Sequence, residues 1–131
     1  MSFKKVRNAH KTENTEDYLE LIAELLTSKG EARIVDIANE LGIAQATANK
    51  TIQRLHNQGY IKKKPYRSIF LTVKGQMIAS KSKKRHNIVF KFLLNLGLDE
   101  KTAAADAEGI EHHVSDRTLK KMDKFNSSNK I

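Results

Sequence analysis

The sequence predicts a mainly α-helical protein, with three helices and a two-stranded hairpin in its N-terminal part and further helices after them. Apolar residues recur at helical spacing along most of the 131-residue chain. The single proline, Pro65, leaves room for long uninterrupted helices, and β-prone residues flank it on both sides. The length suits one domain or two very small ones.

The first predicted helix begins after Thr15, whose hydroxyl can cap it, and ends at Gly30. Glu16 and Asp17 stand in its first turn, where the helix dipole favours negative charge. Residues 1–13 are polar and basic and show no periodicity, so we expect them to form a flexible basic arm.

A short second helix and a longer third helix follow, separated by a sharp glycine turn. The second helix is predicted over about 34–41 and the third over about 44–57, with Gly42 between them. Apolar spacing predicts that the third helix buries Ala48, Ile52 and Leu55. Its opposite face is left to polar and basic residues.

The hairpin is predicted over residues 60–71, with a basic turn at its centre. Thr72 then caps a fourth helix that reaches about Leu96. We place a domain boundary at this point, so that residues 14–72 form the first domain and residues 73–131 form a second, helical one.

Two further helices are predicted near the C-terminal end. Asp99 caps a fifth helix that extends to about His113, and Ser115 caps a sixth over about 116–125, ahead of a frayed end. Gly109 stands inside the fifth helix, where glycine costs about 1 kcal/mol relative to alanine. We therefore expect a close backbone approach at Gly109.

Charge is segregated along the chain. Between Glu40 and Asp99 lie 12 of the 24 basic residues and none of the 15 acidic residues, although the formal net charge is only +9. A basic block inside foldable sequence is typical of proteins that bind a polyanion, nucleic acid above all. An anionic membrane surface and an ordinary solvated face are the alternatives.

The composition also excludes several classes of protein. Without cysteine the chain has no disulfide framework, no thiolate metal site and no thiol nucleophile. It shows neither a signal peptide nor a membrane-spanning segment, and it lacks a His-Glu-x-x-His pair, a glycine-rich phosphate loop and a nucleophile motif. We expect a cytoplasmic protein that is not an enzyme and that binds neither a membrane nor a small organic substrate.

The order helix, helix, glycine turn, helix, hairpin is that of a winged helix-turn-helix, in which the third helix enters the major groove of DNA. Short polar side chains that can contact base edges lie early in the third helix: Gln45, Thr47 and Asn49. The basic side chains expected on phosphates are Lys50, Arg54, Lys62, Lys63, Lys64 and Arg67. A merely solvated helix face is the alternative.

Side chains that ligate metals cluster on three of the predicted helices. Two acids share a face of the first helix, a histidine stands in the fourth, and two acids and a histidine at i, i+3 and i+4 share a face of the fifth. If these helices converge, six ligands meet: Asp17, Glu20, His86, Glu108, Glu111 and His112. The alternative is a set of surface charges and ion-pair partners.

The donor set decides which metal to expect. Carboxylate and imidazole donors without sulfur suit a hard divalent cation, Mn²⁺ first and Fe²⁺ second. Six side chains exceed what one tetrahedral zinc needs, so we expect two ions per subunit that share bridging carboxylates. A metalloenzyme or a metal-storage protein could use the same donors.

Three stretches resemble the diphtheria-toxin-repressor family, and within it the manganese-responsive branch. They are Asp17-Tyr18-Leu19-Glu20, Arg85-His86 and Ala107-Glu108-Gly109-Ile110-Glu111-His112-His113-Val114-Ser115, and the resemblance covers about residues 15–125. It implies a homodimeric repressor with an N-terminal winged helix-turn-helix and a C-terminal helical metal-binding and dimerisation domain. Such a repressor binds palindromic operator DNA when it is loaded with Mn²⁺, and it represses metal-uptake genes.

The resemblance also bears on the choice of metal, because all six predicted ligands match ligand positions of the family. Asp17 and Glu111 stand where iron-responsive relatives usually carry Met and Cys, and oxygen donors there favour manganese. An iron-responsive repressor of the same family is one alternative. A metal-independent winged-helix protein, with the acids in an ion-pair network between domains, is the other.

Overall fold

The computed structural model describes residues 3–64 and 68–129, with side chains from Asn14 onward in these ranges. Over this part the chain forms six helices and two strands. They are α1 (Phe3–Lys29), α2 (Ile34–Leu41), α3 (Gln45–Asn57), β1 (Ile61–Lys63), β2 (Ile69–Leu71), α4 (Val73–Asn95), α5 (Glu100–Ile110) and α6 (Asp116–Ser128). Within these ranges, no helix is long and apolar enough to cross a membrane.

The chain divides into two compact units. The N-terminal unit is Glu13–Ser80, and the C-terminal unit is the chain from Lys81 onward together with the start of α1 through Thr12. The mainly helical fold class that the sequence predicts is confirmed, with a helix-turn-helix and an antiparallel hairpin ahead of further helices.

The N-terminal unit packs α1, α2, α3 and the hairpin around one apolar core. Leu19 of α1, Ile37 of α2, and Ile52 and Leu55 of α3 are fully buried in it. Burying an aliphatic side chain of this size stabilises a fold by about 1.5–3 kcal/mol. The predicted buried face of α3, which also includes Ala48, is confirmed.

The turn between α2 and α3 depends on Gly42. Its φ of +66° is left-handed, a conformation that glycine adopts without steric penalty. The N–H of Gly42 donates to the Asn39 carbonyl (3.3 Å) and that of Ile43 to the Ala38 carbonyl (3.0 Å). These bonds satisfy carbonyls at the end of α2, so the chain can turn sharply into α3.

The predicted hairpin is present. Strands β1 and β2 pair antiparallel, with Lys63 opposite Ile69. The N–H of Ile69 donates to the Ala32 carbonyl (2.8 Å), which joins β2 to the segment before α2. Residues 65–67, at the centre of the turn, lie outside the described residues.

Thr72 caps α4, as predicted. Its hydroxyl oxygen accepts from the Gly75 N–H (3.1 Å) and donates to the Gly59 carbonyl (2.7 Å). The Tyr60 carbonyl accepts from the Thr72 N–H (3.0 Å), and it lies so close to α4 that a Cβ on Gly75 would overlap it. The start of α4 therefore packs directly on the backbone that leads into β1.

The C-terminal unit packs α4, α5 and α6 around a smaller core. Its buried apolar residues are Val89, Leu93, Ala103, Ala107 and Leu119. Both predicted caps are present: Asp99 accepts from the Thr102 N–H (3.0 Å) at the start of α5, and Ser115 accepts from the Thr118 N–H (3.2 Å) at the start of α6.

The first helix begins earlier than the sequence predicts. α1 starts at Phe3 rather than after Thr15, so the segment expected to be a flexible arm is helical from Phe3 on. Residues 3–13 contain neither glycine nor proline and include several lysine, arginine and alanine residues of high helix propensity. Such residues extend an established helix at little cost.

The last helix ends later than predicted. α6 continues to Ser128 instead of fraying after Phe125. The Asn126 amide donates to the Ile88 carbonyl (3.0 Å) and accepts from the Asn95 amide (3.0 Å). These two bonds hold the last turns of α6 against α4.

The expected close approach at Gly109 is wrong. Among the described residues outside its own helix, no atom lies within 4 Å of the position that a Cβ would take. The glycine that does meet a neighbouring backbone is Gly75.

Candidate metal centre and nucleic-acid interface

His86 lies on α4 and faces two carboxylates at the end of α5. Its Nδ1 is 3.4 Å from Oε1 of Glu111 and 3.5 Å from Oε1 of Glu108. In this cluster, one ligand atom from each residue lies within 4.8 Å of the others. Imidazole nitrogen and carboxylate oxygen so arranged can bind a divalent cation, or can form an ion pair if His86 is protonated.

The end of α5 positions Glu111 and His112. The last α-helical bond runs from the Glu111 N–H to the Ala107 carbonyl (3.0 Å), and the next is a tighter bond from the His113 N–H to the Ile110 carbonyl (3.0 Å). The helix therefore ends at Ile110, and the prediction that it reaches His113 is wrong.

Glu111 nevertheless keeps helical backbone angles, φ −56° and ψ −31°. It thus stays on the same face as Glu108, as the i, i+3 spacing predicts. His112 follows it, with Nε2 at 3.6 Å from Oε1 of Glu111. Four of the six predicted ligands, His86, Glu108, Glu111 and His112, therefore lie in the C-terminal unit.

Burial distinguishes this cluster from an ordinary surface ion pair. The side chains of Glu111 and His112 are each 1% exposed, that of His86 is 20% exposed, and that of Glu108 is 62% exposed. A buried carboxylate is costly unless it is paired or binds a cation. The His86 Nδ1 is buried and has no hydrogen bond within the described part of the chain, so the donors present fit a hard divalent ion.

Asp17 and Glu20, the other two predicted ligands, lie on α1 in the N-terminal unit. Both are half-buried, and Tyr18 and Leu19 between them are buried in the core of that unit. The spacing of three residues places the two carboxylates on one face of α1, as the sequence predicts.

The predicted base-contacting residues lie on the solvent side of α3. Gln45, Thr47 and Asn49 are exposed, as is Lys50. Because the opposite face of the helix is buried, this side is the one that α3 can present to a ligand.

A groove of about 580 Å³ lies between the start of α2, α3 and the hairpin. Its polar lining consists of Arg33, Gln45, Asn49, Lys63, Lys64 and Ser68. Arg33 and Ser68 are additional to the residues predicted from sequence. Arg33 lies between Glu31 and Asp36, outside the acid-free stretch, so the charge pattern did not identify it as a DNA-binding candidate. Its position directly before the predicted second helix could have identified it.

Several of the predicted phosphate-binding residues already have partners within the N-terminal unit. Arg54 is half-buried, and its Nη1 donates to the Thr15 hydroxyl (3.0 Å) and to Oε1 of Gln58 (3.1 Å). Lys63 donates to Oε1 of Gln53 (2.9 Å). Arg54 therefore also connects α3 to α1, a role that sequence spacing did not indicate.

The remaining basic residues of the hairpin differ in what they contact. Lys62 is exposed. The Lys64 ammonium lies 4.9 Å from the centre of the Phe70 ring, within the range of a cation–π contact. Arg67 lies outside the described residues.

Family profiles match both parts of the chain. Residues 10–69 match "Iron dependent repressor, N-terminal DNA binding domain", and residues 72–130 match "Iron dependent repressor, metal binding and dimerisation domain". The chain belongs to the iron-dependent repressor family. The family resemblance identified from the metal-ligating stretches is therefore confirmed, and the family's members are regulators rather than enzymes.

The chain is similar to several transcriptional regulators named MntR. The chain is 49% identical over 117 residues to the transcriptional regulator MntR of Escherichia coli O6:H1, covering 89% of this chain and 76% of that protein. It is 38% identical over 104 residues to the HTH-type transcriptional regulator MntR of Lysinibacillus sphaericus, covering 79% of this chain and 75% of that one.

Solved structures within the family share the fold. The manganese regulator SloR superposes with a TM-score of 0.77 at 29% identity, over 89% of this chain and 55% of that one. A manganese-dependent transcriptional repressor in complex with manganese superposes with a TM-score of 0.79 at 29% identity, over 86% of this chain and 52% of that one. The chain thus spans about half the length of these two proteins.

Proposed function

We propose that this protein is a homodimeric, Mn²⁺-dependent transcriptional repressor that binds palindromic operator DNA when loaded with metal and represses metal-uptake genes. One observation carries the proposal: a buried His86 nitrogen faces the carboxylates of Glu108 and Glu111 at 3.4–3.5 Å, in a chain whose other unit is a helix-turn-helix. The relatives named MntR, and a family-related repressor that contains manganese, support it.

Six side chains are proposed to hold two ions in each subunit. They are Asp17, Glu20, His86, Glu108, Glu111 and His112. Bound Mn²⁺ would supply positive charge that offsets the repulsion among the carboxylates. The donors carry no sulfur, which suits Mn²⁺ and next Fe²⁺, and four carboxylates with two oxygens each would offer enough ligand atoms for two ions.

The ligands belong to both units, and this suggests how metal binding controls DNA binding. Asp17 and Glu20 lie on α1, which carries part of the core on which α3 packs. If they share ions with residues of α4 and the α5 end, the two α3 helices of a dimer gain a fixed spacing that fits successive major grooves. The metal acts to the extent that it binds this arrangement more tightly than others, and DNA in turn tightens metal binding by the same factor.

The proposed DNA interface is the solvent side of α3 with the groove beside it. Gln45, Thr47 and Asn49 would contact base edges. Phosphate contacts would come from Lys50, Arg54, Lys62, Lys63, Lys64 and Arg67, with Arg33 and Ser68 of the groove added. The Ser68 hydroxyl has no hydrogen-bond partner among the described residues.

Self-association is proposed through the C-terminal unit. Leu96, Leu98 and Phe125 are exposed apolar residues there, and α5 borders a shallow, largely apolar groove that includes Ala105 and Ile110. Exposed apolar surface of this kind is typical of interaction sites. The family profile that matches this region is that of a metal-binding and dimerisation domain.

Metal-dependent DNA binding is the decisive measurement. A palindromic duplex is first selected from a random library with the Mn²⁺-loaded protein, and its binding is then followed by fluorescence anisotropy with Mn²⁺, with Fe²⁺ under anaerobic conditions, and with a chelator. We expect tight binding only with metal. Stronger activation by Fe²⁺ would identify an iron-responsive repressor, and equal binding in chelator would identify a metal-independent protein.

Glu111→Gln tests the metal centre in the same assay, because it keeps the size of a buried side chain and removes its charge. We expect it to abolish the response to Mn²⁺. Glu100→Gln, an exposed acid in the first turn of the same helix, is the matched control and should respond like the wild type. Unchanged Mn²⁺ dependence in Glu111→Gln would contradict the proposal.

A further inference from the structure

Arg85 differs from the other basic residues near it on α4. Lys81, Lys83 and Lys84 are exposed, whereas the Arg85 side chain is only 17% exposed. It directly precedes His86, so it belongs to the basic run in sequence but points into the C-terminal unit. Most of its side chain therefore contacts protein rather than solvent.

The Arg85 guanidinium contacts both ends of the turn between α5 and α6. Its Nε donates to the Glu111 carbonyl (3.0 Å), and its Nη2 donates to the Val114 carbonyl (2.6 Å). Its Nη1 lies 3.6 Å from Oδ1 of Asp116 in the first turn of α6. The planar fork of a guanidinium can reach separate carbonyls at once, which a lysine ammonium at one point cannot do.

These contacts replace the helical bonds that end before this turn. Beyond the Glu111 N–H, α5 no longer fixes the backbone with α-helical bonds, yet the Glu111 and His112 side chains remain almost fully buried. We propose that Arg85 is a positioning residue that fixes the turn over residues 111–114, and thereby holds the Glu111 and His112 ligands opposite His86. This inference rests on the proposed metal site.

Positioning and simple electrostatics predict opposite effects of replacing Arg85 on Mn²⁺ affinity. Removing a positive charge near a cation site would by itself tighten Mn²⁺ binding, whereas losing the hold on the turn weakens it. Residues that orient metal ligands typically change metal affinity by about 10–100-fold when they are replaced. The sign of the change therefore separates positioning from charge.

Mn²⁺ affinity is measured by titration calorimetry on the full chain without DNA, for Arg85→Met and for Lys84→Met. Both variants remove one positive charge from neighbouring positions of α4. We expect Arg85→Met to weaken Mn²⁺ binding by about 10–100-fold and Lys84→Met to leave it unchanged or slightly tighter. Unchanged or tighter binding by Arg85→Met, or an equal loss in Lys84→Met, would overturn the proposal.

Arg85→Lys is a second variant, for the case in which Arg85→Met does not fold. It keeps the positive charge but lacks the planar guanidinium that reaches both carbonyls. We expect it to lose Mn²⁺ affinity by at least about 10-fold, while full wild-type affinity would overturn the proposal. Asp116→Asn keeps both carbonyl contacts and should bind Mn²⁺ like the wild type; a loss equal to that of Arg85→Lys would assign the effect to the ion pair instead.

Amide hydrogen exchange in the metal-free protein gives a readout independent of metal. We expect the backbone N–H groups of residues 112–114 to exchange faster in Arg85→Lys than in the wild type and in Lys84→Met. Equal exchange would overturn the proposal. If the wild type binds no Mn²⁺, the proposed function fails, and the exchange measurement still reports separately whether Arg85 holds the turn.

Discussion

Gly75 occupies the tightest backbone approach that the structure shows for any glycine. It stands in the first turn of α4, where a Cβ would overlap the Tyr60 carbonyl. That carbonyl cannot retreat freely, because it accepts from the Thr72 N–H. Glycine has a low helix propensity. At this position the space gained by having no Cβ matters more than that low propensity.

Gly75→Ala is expected to lower the free energy of unfolding by about 1–3 kcal/mol, because forced overlap in a packed region costs that much. The higher helix propensity of alanine, about 1 kcal/mol, acts in the opposite direction. Urea denaturation measures the change. Gln76→Ala, at the exposed next position, is the control and should stay within about 0.5 kcal/mol of the wild type. A Gly75→Ala protein more stable than the wild type would refute the proposed clash.

The residues of the proposed metal centre and of the proposed DNA interface differ in how their charges are held. Glu111 and His112 are buried at the end of α5, and Arg85 is held by backbone carbonyls. Lys50 and Lys62 are exposed. The proposed ligands Glu111 and His112 are thus fixed by burial, whereas the exposed Lys50 and Lys62 can adjust to a phosphate; the electrostatic part of DNA binding does not require a fixed geometry.

At the scale of elements, the caps decide where α5 and α6 begin. Asp99 accepts from the Thr102 N–H at 3.0 Å. Hydrogen bonds from the Thr102 hydroxyl and backbone N–H lower the pKa of Asp99 from its ordinary value. Because Asp99 stands at the N-terminus of α5, the helix dipole also favours its charged form.

The lowered pKa predicts how the contribution of Asp99 changes with pH. A carboxyl whose pKa is lower in the folded state stabilises the fold above its unfolded pKa, about 3.9. That contribution is lost as the pH falls through the folded pKa. Asp99→Asn also caps helices well but does not titrate in this range.

We therefore expect the wild type to exceed Asp99→Asn in stability at pH 7, with the difference shrinking as the pH falls from about 5 to 3. Urea denaturation at a series of pH values measures this difference. Asp106→Asn, at an exposed position later in α5, is the control variant. A difference between the wild type and Asp99→Asn that grows toward low pH would contradict the assignment.

At the scale of the whole molecule, acidic and basic residues are segregated along the chain. The acid-free stretch includes α3 and the hairpin, while the carboxylates of the proposed metal centre lie in the flanking sequence. His86 and Arg85 are exceptions, since they lie within the basic stretch but contact the end of α5 and the turn that follows it. The net charge of +9 is the balance of these two sets of residues.

This division predicts the salt dependence of DNA binding. Each phosphate contact adds about 0.9 to the slope of log K against log salt. Lys62→Gln should therefore reduce the slope by about 0.9 for each subunit bound, and weaken binding to all sequences alike. Lys91→Gln, exposed on α4 in the C-terminal unit, is the control. An unchanged slope in Lys62→Gln would exclude that residue from the phosphate contacts.

Features that depend on neighbours close in the chain can be predicted from the sequence. The caps at Thr72, Asp99 and Ser115, the bounds of α2 and the buried face of α3 all follow from spacing and residue type, because helical geometry repeats every 3.6 residues. The same rule predicted that Glu108 and Glu111 share a face. The resemblance to the family then turned the six candidate ligands into a specific prediction.

Features that depend on partners distant in the chain could not be predicted from the sequence and are known only from the folded structure. Four features involve a partner that no local pattern identifies. They are the end of α5 at Ile110, the contact of Arg85 with the Glu111 carbonyl, the bond from Arg54 to Thr15 and the close packing of Gly75 on the Tyr60 carbonyl. Periodicity fixes which face of a helix is apolar, but only packing determines which backbone atom lies opposite a given side chain.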